Sequence, residues 1–203
     1  FMSGPYISLE FTPEGSKLSA ECITAYISDL MEDIHHSENF ENMMQRVSMR
    51  LQNLIGYDRV MVYRFAPEGS GEVIAEAVSE REHPKFLNLR FPKEDIPEQA
   101  RKLYLKNAVR ILSDVDSEPV PLVPSLLPCG EPLDQSNSTI RSLSEMHRIY
   151  LRNMGVKATV TLSLITEGKL WGLLVCHHNE TRTPPHHIDL DVQTLMVNIA
   201  AIL

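Results

Sequence analysis

Cysteine is scarce in this chain. The three present, Cys22, Cys129 and Cys176, are odd in number and far apart. That argues against a disulfide framework and fits a reducing, cytoplasmic setting. Positive charge is short as well: 19 Lys and Arg against 27 Asp and Glu leave a formal net charge of −8. Nucleic acid is therefore a poor partner. No apolar run approaches the roughly 18 residues that a membrane span needs. The opening FMSGPYISLEF lacks the basic region of a signal peptide, and reads as a cut inside a longer protein. Nucleophile elbow, P-loop and G-x-G-x-x-G are all missing. An enzyme reading has no positive support, and no turnover is expected of this chain.

What is present changes period along the chain. Tyr6 to Phe11 alternates like a short strand. Apolar residues recur at helical spacing from about 17 to 34 and again over 38 to 55, where Gly56 is a stop signal. RVMVYRF (59–65) and EVIAEAVS (72–79) read as a hairpin across a turn with Pro67, Gly69 and Gly71. A helix is expected from Pro97 to Asn107, then a short strand over 108–114. The next stretch, SEPVPLVPSLLPCGEPLDQS (117–136), has five prolines in 20 residues and excludes regular structure. Residues 138–154 read as one helix ended by Gly155. ATVTLSLI (158–165) and KLWGLLVCHH (169–178) pair across Glu167-Gly168, and a last helix is expected over 188–203. The order predicts an α+β fold, an antiparallel sheet flanked by helices.

Three segments carry the candidate site. In Asp95-Ile96-Pro97 the proline keeps Ile96 extended, so a carboxylate is held rigidly at a helix entrance. Taken alone, Asp95 reads first as a helix cap. On the 138–154 helix, Leu143, His147, Tyr150 and Met154 share one face, with Arg141 and Ser144 beside it. Taken alone, His147 reads first as a satisfied core residue. In the last hairpin Thr159, Thr161 and Ser163 face one side and Val160, Leu162 and Leu164 the other. His177 ends the next strand. His-His pairs occur at 35–36, 177–178 and 186–187, but none has a partner at zinc-ligand spacing, so no metal is expected.

Read together, these segments resemble one family. RVMVYRF, GEVIAEA, RFPKEDIPEQARKLYLKNAVRILSD, PVPL, IRSLSEMHRIYLRNMGV and KLWGLLVCHH match, in order and spacing, the chromophore-binding GAF domain of phytochromes, nearest to the biliverdin-binding bacterial branch. The resemblance covers about residues 40–203. It puts the GAF domain at 17–203, makes 1–16 a remnant of a preceding PAS domain, and makes the proline-rich loop a lasso. It implies a linear tetrapyrrole (bilin), biliverdin first, with phycocyanobilin or a related bilin also compatible.

The resemblance also implies roles. Asp95, with Ile96 and Pro97, would present oxygen to the pyrrole N–H groups. His147 would lie beside the rings. Arg110 and Arg141 would hold propionates in a two-pronged fork, with Ser144, Thr159 and Thr161 adding hydroxyls. His177 would bond the D-ring carbonyl. Tyr63, Phe86, Phe91, Tyr104 and Tyr150, with Met61, Met146 and Met154, would form the wall; plain core packing is the competing account of these residues. One departure stands out. Relatives in plants and many cyanobacteria carry an attachment cysteine where this chain has Met146. The attachment point is left open, with Cys129 the candidate thiol.

The expected function is a red/far-red photoreceptor module working by Z/E isomerisation at the D ring. It would form a homodimer through its terminal helices and signal to a fused output domain, a histidine kinase or cyclic-dinucleotide enzyme. The alternative is a GAF-fold dimerisation or interaction module without chromophore. A GAF domain sensing a small nucleotide leaves Asp-Ile-Pro without a role.

Overall fold

The structure is a computed structural model and describes residues 1–11, 24–25, 28–29, 31–33, 36–79 and 85–183. The expected first helix lies largely, and the last wholly, outside the described residues. So do Cys22 and the 186–187 histidine pair.

Six strands form one antiparallel sheet: β3 (Arg59–Phe65), β4 (Gly71–Val78), β5 (Arg90–Phe91), β6 (Val109–Leu112), β7 (Ala158–Thr166) and β8 (Lys169–His178), in the order β5-β4-β3-β8-β7-β6. Both expected hairpins form, and β8 joins them by pairing with β3 as well as β7. Glu167 and Gly168 take positive φ values of 52° and 73° in the second turn, as a two-residue type I′ turn requires. The N-terminal strand is shorter than expected. Only Tyr6–Ile7 (β2) is extended, paired with Met2–Ser3 (β1).

Helix α1 (Phe40–Ile55) covers one face of the sheet. The Asn39 side chain caps it by accepting from the Asn42 N–H at 2.8 Å, and Gly56 ends it at φ 64°. Its Met43, Met44, Val47, Leu51 and Ile55 pack on Val60, Val62, Ala75, Val160, Leu162, Leu164, Leu174 and Cys176. Truncating one of these large side chains to alanine costs about 2–5 kcal/mol. Helices α2 (Glu98–Lys106) and α3 (Glu145–Asn153) lie over the opposite face.

The 138–154 stretch departs from expectation. Helix begins only at Glu145, because the Ser144 hydroxyl accepts from the His147 N–H and caps it there. The Ser/Thr-rich run before it bonds elsewhere, which is how such residues compete with helix. Leu143 consequently leaves the His147 face and packs with Val115, Leu151 and Val156. Arg141 is off the helix as well. Residues 117–136 contain no helix or strand, as expected. Among the described residues, no helix is long and apolar enough to cross a membrane.

At Gly172, β8 runs close against the β3 backbone. A Cβ there would lie 2.5 Å from the Tyr63 carbonyl oxygen, a backbone atom that cannot swing away. Gly172→Ala should therefore destabilise the chain by about 1–3 kcal/mol. The midpoint of urea unfolding should drop with the slope unchanged; an unshifted midpoint would show that the two strands separate without cost.

Candidate functional site

The sheet face opposite α1 carries the second side-chain set of each strand. Across adjacent strands Arg59, His177 and Thr159 stand in register, as do Met61, Val175, Thr161 and Arg110 in the next row, and Tyr63, Leu173 and Ser163 in the third. From β3 to β6 this floor runs about 14 Å, at about 4.8 Å per strand spacing. Helices α2 and α3 and the 86–97 segment rise around it. They enclose a cavity of about 560 Å³.

Sixteen expected residues line this cavity: Met61, Tyr63, Phe86, Phe91, Asp95, Ile96, Pro97, Tyr104, Ser144, Met146, His147, Tyr150, Met154, Thr159, Thr161 and His177. Arg110 and Arg141 are placed beside it instead, at the β6 edge. There Arg110 Nη2 donates to the Arg141 carbonyl. Sequence reasoning missed Val73, Glu94, Ala100, Ile149, Leu151, Asn153, Leu173 and Val175. Leu173 and Val175 were within reach, since they alternate with His177 along β8.

Asp95 is not a cap. Pro97 occupies the N-cap position of α2 and no side chain bonds there. The Asp95 N–H donates to the Pro92 carbonyl at 3.2 Å, a local turn that turns the segment into the cavity wall. The Ile96 carbonyl is already used: Arg101 Nε donates to it at 2.7 Å, and the same guanidinium lies over the Phe65 ring. Phe86 is held with similar care. Glu76 accepts from the Phe86 and Leu87 N–H groups, forms a buried ion pair with Arg59 at 3.0 Å, and Arg59 stacks on the Phe86 ring at 4.1 Å. His147 and Tyr150 meet edge to face at 6.3 Å.

The electrostatics favour neutral imidazoles and neutral phenols. Burial, with the charge of Arg59 and then His147 adding to it, pushes His177 down to about 3. Burial also lowers His147, helped by Arg110. Burial, then Tyr150 and Asp95, pushes Tyr63 up to about 12. Arg110 falls to about 10 through burial and the neighbouring Arg141. His177 and His178 do not act as a pair: successive residues on a strand face opposite ways, and His178 Nδ1 lies 2.8 Å from Asp58 on the other face.

Several buried polar atoms around the cavity find no partner among the described residues. They are His177 Nδ1, Thr159 Oγ1, Arg110 Nε and Nη1, and Arg141 Nε. Buried donors of this kind are costly unless something bonds them. A flat conjugated ligand with a carbonyl at the His177 end and acids at the arginine end would satisfy them. Neither described cysteine reaches this space. Cys129 is exposed and beside Tyr6, and Cys176 is buried under α1, where burial pushes its thiol up.

Comparisons with known proteins agree with this geometry. The GAF domain family matches residues 39–203. A bacteriophytochrome of Pseudomonas aeruginosa is 37% identical over 187 residues, 92% of this chain and 26% of that protein. One of Xanthomonas campestris pv. campestris is 40% identical over 178 residues, 85% of this chain and 28% of that protein. The chain thus spans little more than a quarter of these relatives. The chromophore-binding domain of Stigmatella aurantiaca phytochrome P1 superposes with a TM-score of 0.84 at 36% identity, over 95% of this chain and 63% of that one.

The depressed His177 sets a pH dependence. The folded chain keeps it neutral to about 3, whereas the unfolded chain protonates it below about 6.5. Its contribution is complete above about 6.5 and is lost as pH falls toward 3. Unfolding midpoints of the ligand-free chain should decline through that window, and His177→Gln should flatten the decline. An unchanged slope would show that His177 is not buried as described.

Proposed function

This chain belongs to the GAF domain family, and we propose that it is the bilin-binding module of a red/far-red photoreceptor. The observation that carries the reading is the set of unpartnered buried polar atoms on an aromatic-walled cavity. Bilin names its own complement: a terminal lactam carbonyl, pyrrole N–H groups and two propionates. Biliverdin is the bilin we favour, on the bacterial relatives.

The residues divide the work. Arg110 and Arg141 are guanidinium donors for propionate, and a buried fork of that kind also fixes orientation. The Ser144 hydroxyl, whose oxygen caps α3, keeps its own proton to donate, as does Thr159. Thr161 is bonded to Tyr104 and steadies that ring. Asp95 and its main chain accept from pyrrole N–H groups at the opposite wall. His147, neutral and beside Tyr150, offers an exchangeable proton near the rings. His177, neutral, donates to the D-ring carbonyl. Tyr63, Phe86 and Phe91 provide the flat, polarisable enclosure in which that ring turns.

When bound, the bilin supplies a light-driven Z/E isomerisation at the D ring. The protein's part is to offer different hydrogen bonds to the two isomers and so bias two states. We place no turnover on the chain itself. The hold argued from the described residues is noncovalent. Residues 1–16 read as the tail of a preceding PAS domain, the expected terminal helices as a homodimer interface, and the output as a fused kinase or cyclic-dinucleotide enzyme. The dispersed cysteines support a cytoplasmic setting. Met146, exposed at the cavity, favours the pigment-free interaction module. Arg110, buried with two unsatisfied N–H groups, favours the pigment.

The test is visible absorbance of the chain mixed with biliverdin, before and after red light, then in acid denaturant. A sharp red band that changes on illumination is expected, with pigment released in acid. A broad band unaffected by light would sink the reading. His177→Ala should leave uptake largely intact while shifting the band or impairing photoconversion. Arg141→Ala should weaken uptake about tenfold, the equivalent of one charge-assisted hydrogen bond; equal uptake would remove Arg141 from the site.

A further inference from the structure

Two guanidinium groups converge at the β6 edge of the cavity, and like charges repel. Arg110 is anchored by a strand, in register with Thr161. Arg141 has no such support, because residues 138–144 are irregular. Besides the Asn107 Nδ2 bond to the Ser138 carbonyl at 3.4 Å, two ties fix this segment. One is the Arg110 side chain donating to the Arg141 carbonyl. The other comes from the far end of the sequence.

Glu10 sits in the N-terminal segment and accepts three hydrogen bonds from the residues just before Arg141. Ser138 Oγ donates to Oε1 at 2.5 Å, Thr139 Oγ1 to Oε2 at 2.6 Å, and the Thr139 N–H to Oε2 at 3.1 Å. Ser138 is buried. A second stitch runs alongside, the Asp134 N–H donating to Ser3 Oγ at 3.1 Å. An ionised carboxylate is acceptor-only, and charge-assisted bonds of this kind are the strong ones. Burial works to raise the Glu10 carboxyl, but the bonds from Ser138 and Thr139 outweigh it and keep it ionised. Its negative charge also acts on Arg110 and offsets part of the repulsion from Arg141.

We propose that Glu10 is the positioning residue of the acid-binding corner, clamping Ser138 and Thr139 so that Arg141 and Arg110 converge on a ligand carboxylate. The inference rests on the bilin reading above. Glu10 does not line the cavity itself. It acts through the segment that carries Arg141.

The experiment compares two pigments that differ only in their acids, biliverdin and its dimethyl ester, titrated against the full chain and Glu10→Ala. The ester keeps the rings and loses both carboxylates. Glu10→Ala should weaken biliverdin by about tenfold and leave the ester within about twofold. Glu10→Gln, which keeps an acceptor for Thr139, should recover part of the loss. Should Glu10→Ala fail to fold, the Ser138→Ala/Thr139→Val double variant removes the same bonds from the other side and should show the same acid-selective loss. Equal loss of both pigments would overturn the proposal, since it would mean a general loosening of the cavity; so would no loss of either. A wild-type chain that takes up neither pigment overturns the bilin reading and this inference with it, whereas the first two outcomes overturn this inference alone.

Discussion

Everything at the cavity depends on β8 being held between β3 and β7 in one register. That strand has two jobs, and its pleat separates them. Leu174 and Cys176 go under α1, while Leu173, Val175 and His177 go to the cavity. Its neighbours obey the same parity: Val160 and Leu162 against Thr159 and Thr161, Val60 and Val62 against Met61 and Tyr63. A slip of one residue would put hydroxyls and an imidazole under α1 and leave leucines on the floor of the cavity. The apolar face makes such a slip expensive, so packing far from the site is what keeps the polar rows aligned. Gly172 and the Glu167-Gly168 turn serve the same end, the first by close approach to β3 and the second by setting the hairpin's loop length.

The helices on the cavity side are a different kind of element. Helix α1 is held by burial; α2 has no buried residue at all. It is fastened by Ser163 Oγ donating to the Tyr104 carbonyl at 2.7 Å and by Tyr104 packing at the cluster of Met61, Tyr63, Val73 and Leu173. Helix α3 is anchored by Arg148, whose guanidinium donates to the Val115 and Ser117 carbonyls. A wall fastened by a few directional bonds has less holding it than one packed into a core. That property suits the side of a cavity that opens to admit a ligand.

Much of this was legible in the sequence, and the reason is periodicity. Period-two alternation gave β3, β4, β7 and β8 and the sidedness of Thr159 and Thr161; a 3.6 repeat ended by Gly56 gave α1, whose Asn39 cap only the structure shows. The start of α3 was misread because Leu143 fits the helical spacing by chance, while the signal that mattered was Ser144 as a cap. Asp95 was misread in isolation for the opposite reason: its residue type suits a cap, but Pro97 already holds that position. The Glu76–Arg59 clamp on Phe86 and the Glu10 clasp were not legible at all. They join residues 10 to 129 positions apart, and no local pattern encodes such pairs.

Those long-range ties share a chemical logic. Each uses one carboxylate to gather several donors from a segment with no secondary structure of its own. Glu76 gathers the Phe86 and Leu87 N–H groups and the Arg59 guanidinium; Glu10 gathers Ser138 and Thr139. An irregular segment cannot be ordered by its own backbone ladder, and ordering it costs roughly 1–2 kcal/mol per residue. A charged acceptor with multiple donors offsets part of that cost at a single point. It also makes the segment's position sensitive to local charge. The two clasps hold opposite ends of the cavity, one beside Phe86 and His177 and the other beside the arginine corner. A ligand that adds or withdraws charge at either end would therefore act on the segments that enclose it.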